Sequence, residues 1–157
     1  MLKMTLVVLS IVALLFTVGC SGGTAGKTQP APANMTMLRK ATLGAKWEMN
    51  QINVDVQSAG ELPILIKVAD GGKVDGYFYT PNNDSISFSI SGTSTIYQSA
   101  ADASGRITSD RFSFTASKDQ GNTYAMTFKN NSSQKVNVYL EIIFPIGDSL
   151  FIPVTIK

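Results

Sequence analysis

The sequence has no histidine, one cysteine and one tryptophan in 157 residues. Without histidine, every mechanism that needs an imidazole base is excluded, Ser-His-Asp and Cys-His hydrolysis among them. His-ligated zinc and the HExxH metalloprotease site go with it. A single cysteine allows no disulfide within the chain, so the fold must be held by its core, and a chain of this length suits one domain with a core large enough for that. Charge is also scarce. Asp, Glu, Lys and Arg make up 15% of residues, and 13 basic against 11 acidic side chains leave a net charge of +2. Nucleic-acid partners require clustered Lys and Arg, so none is expected. No apolar run reaches the roughly 20 residues of a membrane-spanning helix. The longest, residues 4–18, is interrupted by Thr5, Ser10 and Thr17.

What is present at the N-terminus is a signal. Lys3 supplies a positive start, residues 4–18 an apolar stretch, and Gly19 a small residue ahead of a cleavage point, the layout of a secretory signal. The tripeptide Val18-Gly19-Cys20 resembles the lipobox of bacterial lipoproteins, with Thr17 standing where that pattern prefers Leu. The resemblance implies a diacylglyceryl group on the Cys20 thiol, cleavage between Gly19 and Cys20, and acylation of the new amine by a fatty acid such as palmitate. Several acyl chains, at about 0.8 kcal/mol per buried CH₂, make a durable anchor. The expected localisation is the outer face of the cell membrane, or the outer membrane of a two-membrane bacterium. The membrane, reached through Cys20, is the first expected partner.

Residues 21–34 are rich in Gly, Ser, Thr, Ala and Pro and contain no large apolar side chain, the composition of a flexible tether. The expected organisation is a signal over 1–19, a lipid-anchored linker over 20–36 and one domain over 37–157. Residues 35–47 are ambiguous: Leu38, Leu43 and Trp47 fit a short helix, which Gly44 and the scattered threonines weaken.

From Trp47 onward the apolar residues recur with period two, the mark of half-buried strands. Ile52, Val54 and Val56 form one set; Leu62, Ile64, Ile66 and Val68 the next; then Val74, Gly76 and Phe78; then Ile86, Phe88 and Ile90. A weaker strand is expected at Ile96-Tyr97. Phe112, Phe114 and Ala116 follow, then Tyr124, Met126 and Phe128. Val136 to Phe144 gives the longest alternation, and Leu150, Ile152, Val154 and Ile156 a closing strand. Turn residues separate these runs at Asp70-Gly71-Gly72, Pro81-Asn82-Asn83-Asp84 and Asn130-Asn131-Ser132-Ser133. The pattern predicts an all-β protein, an antiparallel, jelly-roll-like β-sandwich of about eight or nine strands.

The segment from Val74 to Glu141 resembles the GOLD (Golgi-dynamics) domain. The likeness is carried by Val74-Asp75-Gly76-Tyr77-Phe78, by Ile86-Ser87-Phe88-Ser89-Ile90, by Phe112-Ser113-Phe114, and above all by the Tyr-x-x-x-Phe-x-Asn element Tyr124, Phe128, Asn130. It implies a compact sandwich used for protein or lipid contacts, without catalytic activity. The coiled coil and transmembrane helix of eukaryotic GOLD cargo receptors have no counterpart in the sequence pattern, so cargo transport is not carried over.

Three groups of candidate site residues follow from the alternation. Tyr77 and Tyr79 should oppose Phe78, Tyr139 should oppose Val138 and Leu140, and Phe151 should oppose Leu150. Such outward aromatics combine contact area with a polar tip, and Tyr77, Tyr79 and Tyr139 are the expected binding surface. Asp70, Asp75, Asn82, Asn83 and Asp84 offer oxygens, but calcium takes six to eight ligands, and Asn and Asp at these positions read as turn formers. No metal and no cofactor is expected. Glu48, Asp55, Glu61, Asp110 and Glu141 could supply a glycosidase pair only across a cleft; alternating with apolar residues, they read as solvated faces of strands. The expected function is that of a membrane-anchored extracytoplasmic lipoprotein, not an enzyme, whose sandwich binds a protein or glycan of the envelope. The alternatives are a purely structural envelope lipoprotein or a carbohydrate-binding module using the tyrosines.

Overall fold

The computed structural model describes residues 35–151. The expected signal with Gly19 and Cys20, the tether up to residue 34, and Ile152, Val154 and Ile156 of the closing strand lie outside the described residues. The strands are β1 (Met35–Leu43), β2 (Trp47–Val56), β3 (Glu61–Lys67), β4 (Lys73–Tyr79), β5 (Ser87–Ser91), β6 (Thr95–Gln98), β7 (Ser109–Thr115), β8 (Thr123–Lys129), β9 (Val136–Pro145) and β10 (Ser149–Phe151). A 3₁₀ turn spans Lys118–Gln120.

Two five-stranded sheets result, ordered β1-β2-β9-β4-β7 and β10-β3-β8-β5-β6. The order is that of one long hairpin rolled up. At its tip β5 pairs with β6; behind the tip β4 pairs with β7, β3 with β8 and β2 with β9, all antiparallel. Rolling brings β4 beside β9 and β5 beside β8, which divides each arm between two sheets. This is the jelly-roll way of packing an antiparallel chain, and the expected sandwich is what forms. β1 is added outside β2 and β10 outside β3.

Period-two alternation determines what lies between the sheets. β9 alternates buried and half-buried side chains along its whole length, Val136, Val138, Leu140, Ile142 and Phe144 pointing inward. Opposite them, β8 turns Tyr124, Met126 and Phe128 inward. Phe88 of β5 is the hub, with its ring 4.9 Å from Phe78, 4.8 Å from Phe128 and 5.0 Å from Phe112. Each such side chain, fully buried, contributes about 1.5–3 kcal/mol of transfer free energy, which lets the fold dispense with disulfides. Phe112 finds room because its cross-strand partner is Gly76.

The Tyr-x-x-x-Phe-x-Asn element is structural. Tyr124 and Phe128 are fully buried. The Tyr124 hydroxyl accepts from the Ser117 amide at 2.8 Å, and Asn130, at 0% exposure, clasps two loops.

The ambiguous segment 35–47 is strand, not helix. It pairs with β2 in a hairpin, with a bulge between Met37 and Arg39, and Gly44, at φ +65°, sits in the connecting turn. As an edge strand β1 leaves most of its side chains exposed, so its sequence carries no alternation for a period count to find. The strand begins at Met35, two residues inside the span expected to be linker. It also raises the strand number to ten.

One edge of the roll is closed by a polar contact. The Tyr97 hydroxyl of β6 donates to Asp110 Oδ2 of β7 at 2.6 Å, joining the last strands of the two sheets. Desolvation, followed by the hydrogen bond and charge of Asp110, pushes the Tyr97 hydroxyl up to about 12. A group whose folded pKa is raised contributes stability that is present below its unfolded value and lost as pH rises through the folded one. Wild type should therefore lose stability between pH ~10 and ~12 more steeply than Tyr97→Phe. Urea unfolding of both proteins across that window measures the difference, and parallel curves would refute it.

Candidate functional site

The strand register assembles a row of side chains on the outer face of the first sheet. Alternation sends Asp75, Tyr77 and Tyr79 of β4 outward because Val74 and Phe78 are in the core. On β9 it sends Tyr139, Glu141 and Ile143 outward for the same reason. Tyr79 lies opposite Tyr139, and Tyr77 opposite Glu141. The three expected tyrosines, far apart in sequence, thus become neighbours: the Tyr79 ring is 5.0 Å from Tyr139 and 5.9 Å from Tyr77. Tyr79 is 36% exposed and the other two are half-buried. Phe151, grouped with them from the sequence, is exposed on β10 of the other sheet and does not join them.

Four residues that sequence reasoning did not name as site candidates complete this face. Arg111 of β7, the cross-strand partner of Tyr77, holds its guanidinium 5.3 Å from the Tyr77 ring centre, within the range of a cation–π contact. Gln51 of β2 donates to Glu141 Oε2 at 2.6 Å. Arg39 of β1, paired with Gln51 in the ladder, extends the row, which reads Arg39, Gln51, Glu141, Tyr77, Arg111 across five strands. Trp47, at the start of β2, stands toward the other end of the same face. For Gln51, Trp47 and Arg111 the available signal was parity, each having the outward parity of its strand, which the register turns into adjacency; Arg39, on the non-alternating β1, is placed by its pairing with Gln51 alone.

Two shallow hollows lie side by side here. One, of about 260 Å³, is lined by Leu43, Trp47, Lys73, Asp75 and Ile143. The other, of about 110 Å³, is lined by Asp75, Gly76, Tyr77, Arg111, Glu141 and Ile143. They share Asp75 and Ile143, so they form one interrupted trough. Larger hollows exist, such as one of about 320 Å³ bordered by Ser87, Ser89 and Thr127 on the second sheet. That one lacks an exposed aromatic wall, since its only ring belongs to the buried Phe88.

Tyr139 titrates above its ordinary value because of desolvation and the charges of Glu141 and Tyr79. Its hydroxyl therefore stays protonated, a donor at the trough's edge. Lys73 pairs with Asp75 at 3.1 Å.

The remaining carboxylates do not converge. Asp55 accepts from Asn137 and Lys135, which hold its carboxyl below the usual range. Burial raises the Glu48 carboxyl, but hydrogen bonds from Asn50 and Lys40 outweigh it and the net shift is downward. Glu61 pairs with Lys129 on the second sheet, and Asp110 serves Tyr97. Among the described residues no group of three His, Cys, Asp or Glu is placed to hold a metal ion. Asp70 accepts from the Lys118 amide, and Asn83 adopts φ +57°, the turn roles their sequence suggested.

No known family model matches this chain, and no curated protein matches it.

Proposed function

We propose that the chain is an extracytoplasmic lipoprotein, held at a membrane by lipid on Cys20, whose jelly-roll domain is a non-catalytic binding module. The observation that carries the binding reading is the ring cluster of Tyr77, Tyr79 and Tyr139, flanked by Arg111, on an open sheet face. Tyr, Trp and Arg are the residues enriched where proteins make specific contacts. Three rings in contact, Tyr79 lying tilted against both others, are also stiff, so little rotamer freedom is lost on binding. The sequence likeness to GOLD domains, which spans β4 to β9, points the same way. No catalytic role is proposed: Asp75 and Glu141 share a hollow, but Asp75 is paired with Lys73 and Glu141 accepts from Gln51 and Tyr139, and the other candidate carboxylates lie apart. The signal pattern and the Gly- and Pro-containing stretch after Cys20 support the tethered placement.

The test is crosslinking in intact cells, comparing wild type with Cys20→Ser and with Tyr77→Ala/Tyr79→Ala/Tyr139→Ala. The expected result is a membrane-bound, fatty-acylated wild-type protein with a defined protein or glycan adduct. Cys20→Ser should leave the membrane fraction. The tyrosine variant should stay membrane-bound and folded but lose the adduct. A wild-type protein that never acquires lipid overturns the anchor, and an adduct indifferent to the tyrosines, or none at all, overturns the binding face in favour of a purely structural role.

A further inference from the structure

We propose that the ligand of this face is an uncharged oligosaccharide, seated along the trough between Trp47 and Tyr77; this rests on the binding reading above and names its ligand class. Each of the two hollows combines the same three elements. The larger has Trp47 as aromatic wall, Asp75 as acceptor and Lys73 as donor. The smaller has Tyr77 as wall, Glu141 as acceptor and Arg111 as donor. A pyranose ring presents an apolar face of C–H groups and a rim of hydroxyls that both donate and accept. An aromatic wall suits the first and a carboxylate beside a cation suits the second, since a carboxylate only accepts and a guanidinium or ammonium only donates.

The charge balance selects against ionic ligands. The two hollows together carry two carboxylates and two cations, so the trough as a whole is neutral, and an anionic polymer or a lipid phosphate meets Asp75 and Glu141 as directly as Lys73 and Arg111. A ligand without charge uses all four groups. The rings are also arranged for it. The tyrosines lean on one another and on Arg111, forming a fixed wall. Trp47 stacks on no other ring among the described residues, which leaves it available as a platform. The outward positions of β4 along the trough, from Lys73 to Tyr77, span about 13 Å at roughly 3.3 Å per residue, more than one sugar ring needs. The ligand is therefore a chain and not a monosaccharide.

Trp47 is the sole tryptophan, so its fluorescence reads the larger hollow directly. The full chain, in a zwitterionic detergent without sugar, is titrated with maltohexaose, cellohexaose and chitohexaose, and with hexagalacturonate as the charged control. The expected result is a saturable change in Trp47 emission with at least one neutral hexasaccharide and none with hexagalacturonate. Asp75→Asn and Glu141→Gln should each weaken binding at least tenfold at unchanged melting temperature, while Ser89→Ala on the opposite sheet should change nothing. Binding of hexagalacturonate alone overturns the proposal, as does neutral-sugar binding indifferent to both carboxylate variants. If no sugar alters the emission but the tyrosine-dependent protein adduct persists, the glycan inference fails and the binding face stands. If neither is seen, both fall.

Discussion

Asn130→Ala is expected to cost about 3–4 kcal/mol of folding stability, a large part of the roughly 5–15 kcal/mol that a domain possesses. The reason is the number of backbone groups that depend on one amide. Asn130 is completely buried just after β8. Its Nδ2 donates to the carbonyls of Val56 at 3.1 Å, Gln57 at 3.1 Å and Gln134 at 2.7 Å, while its Oδ1 accepts from the Ser132 amide at 2.9 Å. These partners belong to the end of β2 and to the loop between β8 and β9, so the side chain joins the two arms of the rolled hairpin where the β2–β3 connection leaves. Truncation strands up to four backbone groups, each costing about 1–3 kcal/mol if water does not reach it. Asn130→Asp separates donor loss from lost volume. It keeps the shape, but at neutral pH it sets a carboxylate against three carbonyl oxygens. It should be at least as damaging as alanine at pH 7 and recover part of the loss in acid, where the protonated carboxyl regains one donor. Urea denaturation of the three proteins at neutral and acidic pH measures this. A loss below about 1 kcal/mol for alanine would show that the clasp is redundant.

Gly76 gives the second large effect. Alanine in a strand interior is ordinarily better than glycine by about 0.5–1 kcal/mol, because glycine loses more backbone freedom on folding. Here the sign should reverse. A Cβ on Gly76 would lie 2.1 Å from Phe112 Cζ and 2.6 Å from both Phe112 Cε atoms. The Phe112 ring cannot retreat: it is 3% exposed and lies 5.0 Å from Phe88. Overpacking of this kind costs about 1–3 kcal/mol, so Gly76→Ala should be destabilising by about 2 kcal/mol, and Gly76→Val by more. Shrinking the partner should relieve the clash. In a double-mutant cycle with Phe112→Leu, the two changes should couple favourably by about 1 kcal/mol or more. Additive losses would mean that the strain is not between these two side chains.

Asn130 and Gly76 also mark how the sequence can be read. Both stood out in the sequence, as part of a turn and as part of an alternating run, yet their importance could not be seen there. Gly76 was placed on the inward face of its strand correctly. Nothing in the chain before the register said that the space over it is filled by Phe112, whose sequence position is remote. Asn130 stood out as one of four turn residues and as the last member of the Tyr-x-x-x-Phe-x-Asn element, but neither reading named its partners. Only the meeting of β2 with the β8–β9 loop adds the carbonyls of Val56 and Gln57 to its local partner, Gln134. The segment 35–47 fails for a related reason: a strand with one neighbour and two open faces has no burial period to display, so its backbone pairing with β2 decides its state.

The candidate site divides in the same way. The outward parity of Tyr77, Tyr79 and Tyr139 was legible, because the apolar residues between them must point inward. The grouping of these three with each other, the exclusion of Phe151, and the arrival of Arg111, Gln51 and Trp47 were not. Parity assigns a face of a strand, but it does not say which strand lies alongside.

By itself the sequence determined that this protein is built of antiparallel strands with a disulfide-free apolar core, since period-two burial is a local property of an extended chain. It also determined that these 157 residues offer no imidazole and one thiol, because folding can place side chains but cannot create them. The tertiary structure alone decided which strands meet. Pairing is a contest among many nearly equivalent edges, settled by how the hairpin rolls and how Phe88, Phe78, Phe112 and Phe128 pack around one another, and from that rolling came both the Asn130 clasp and the aromatic trough.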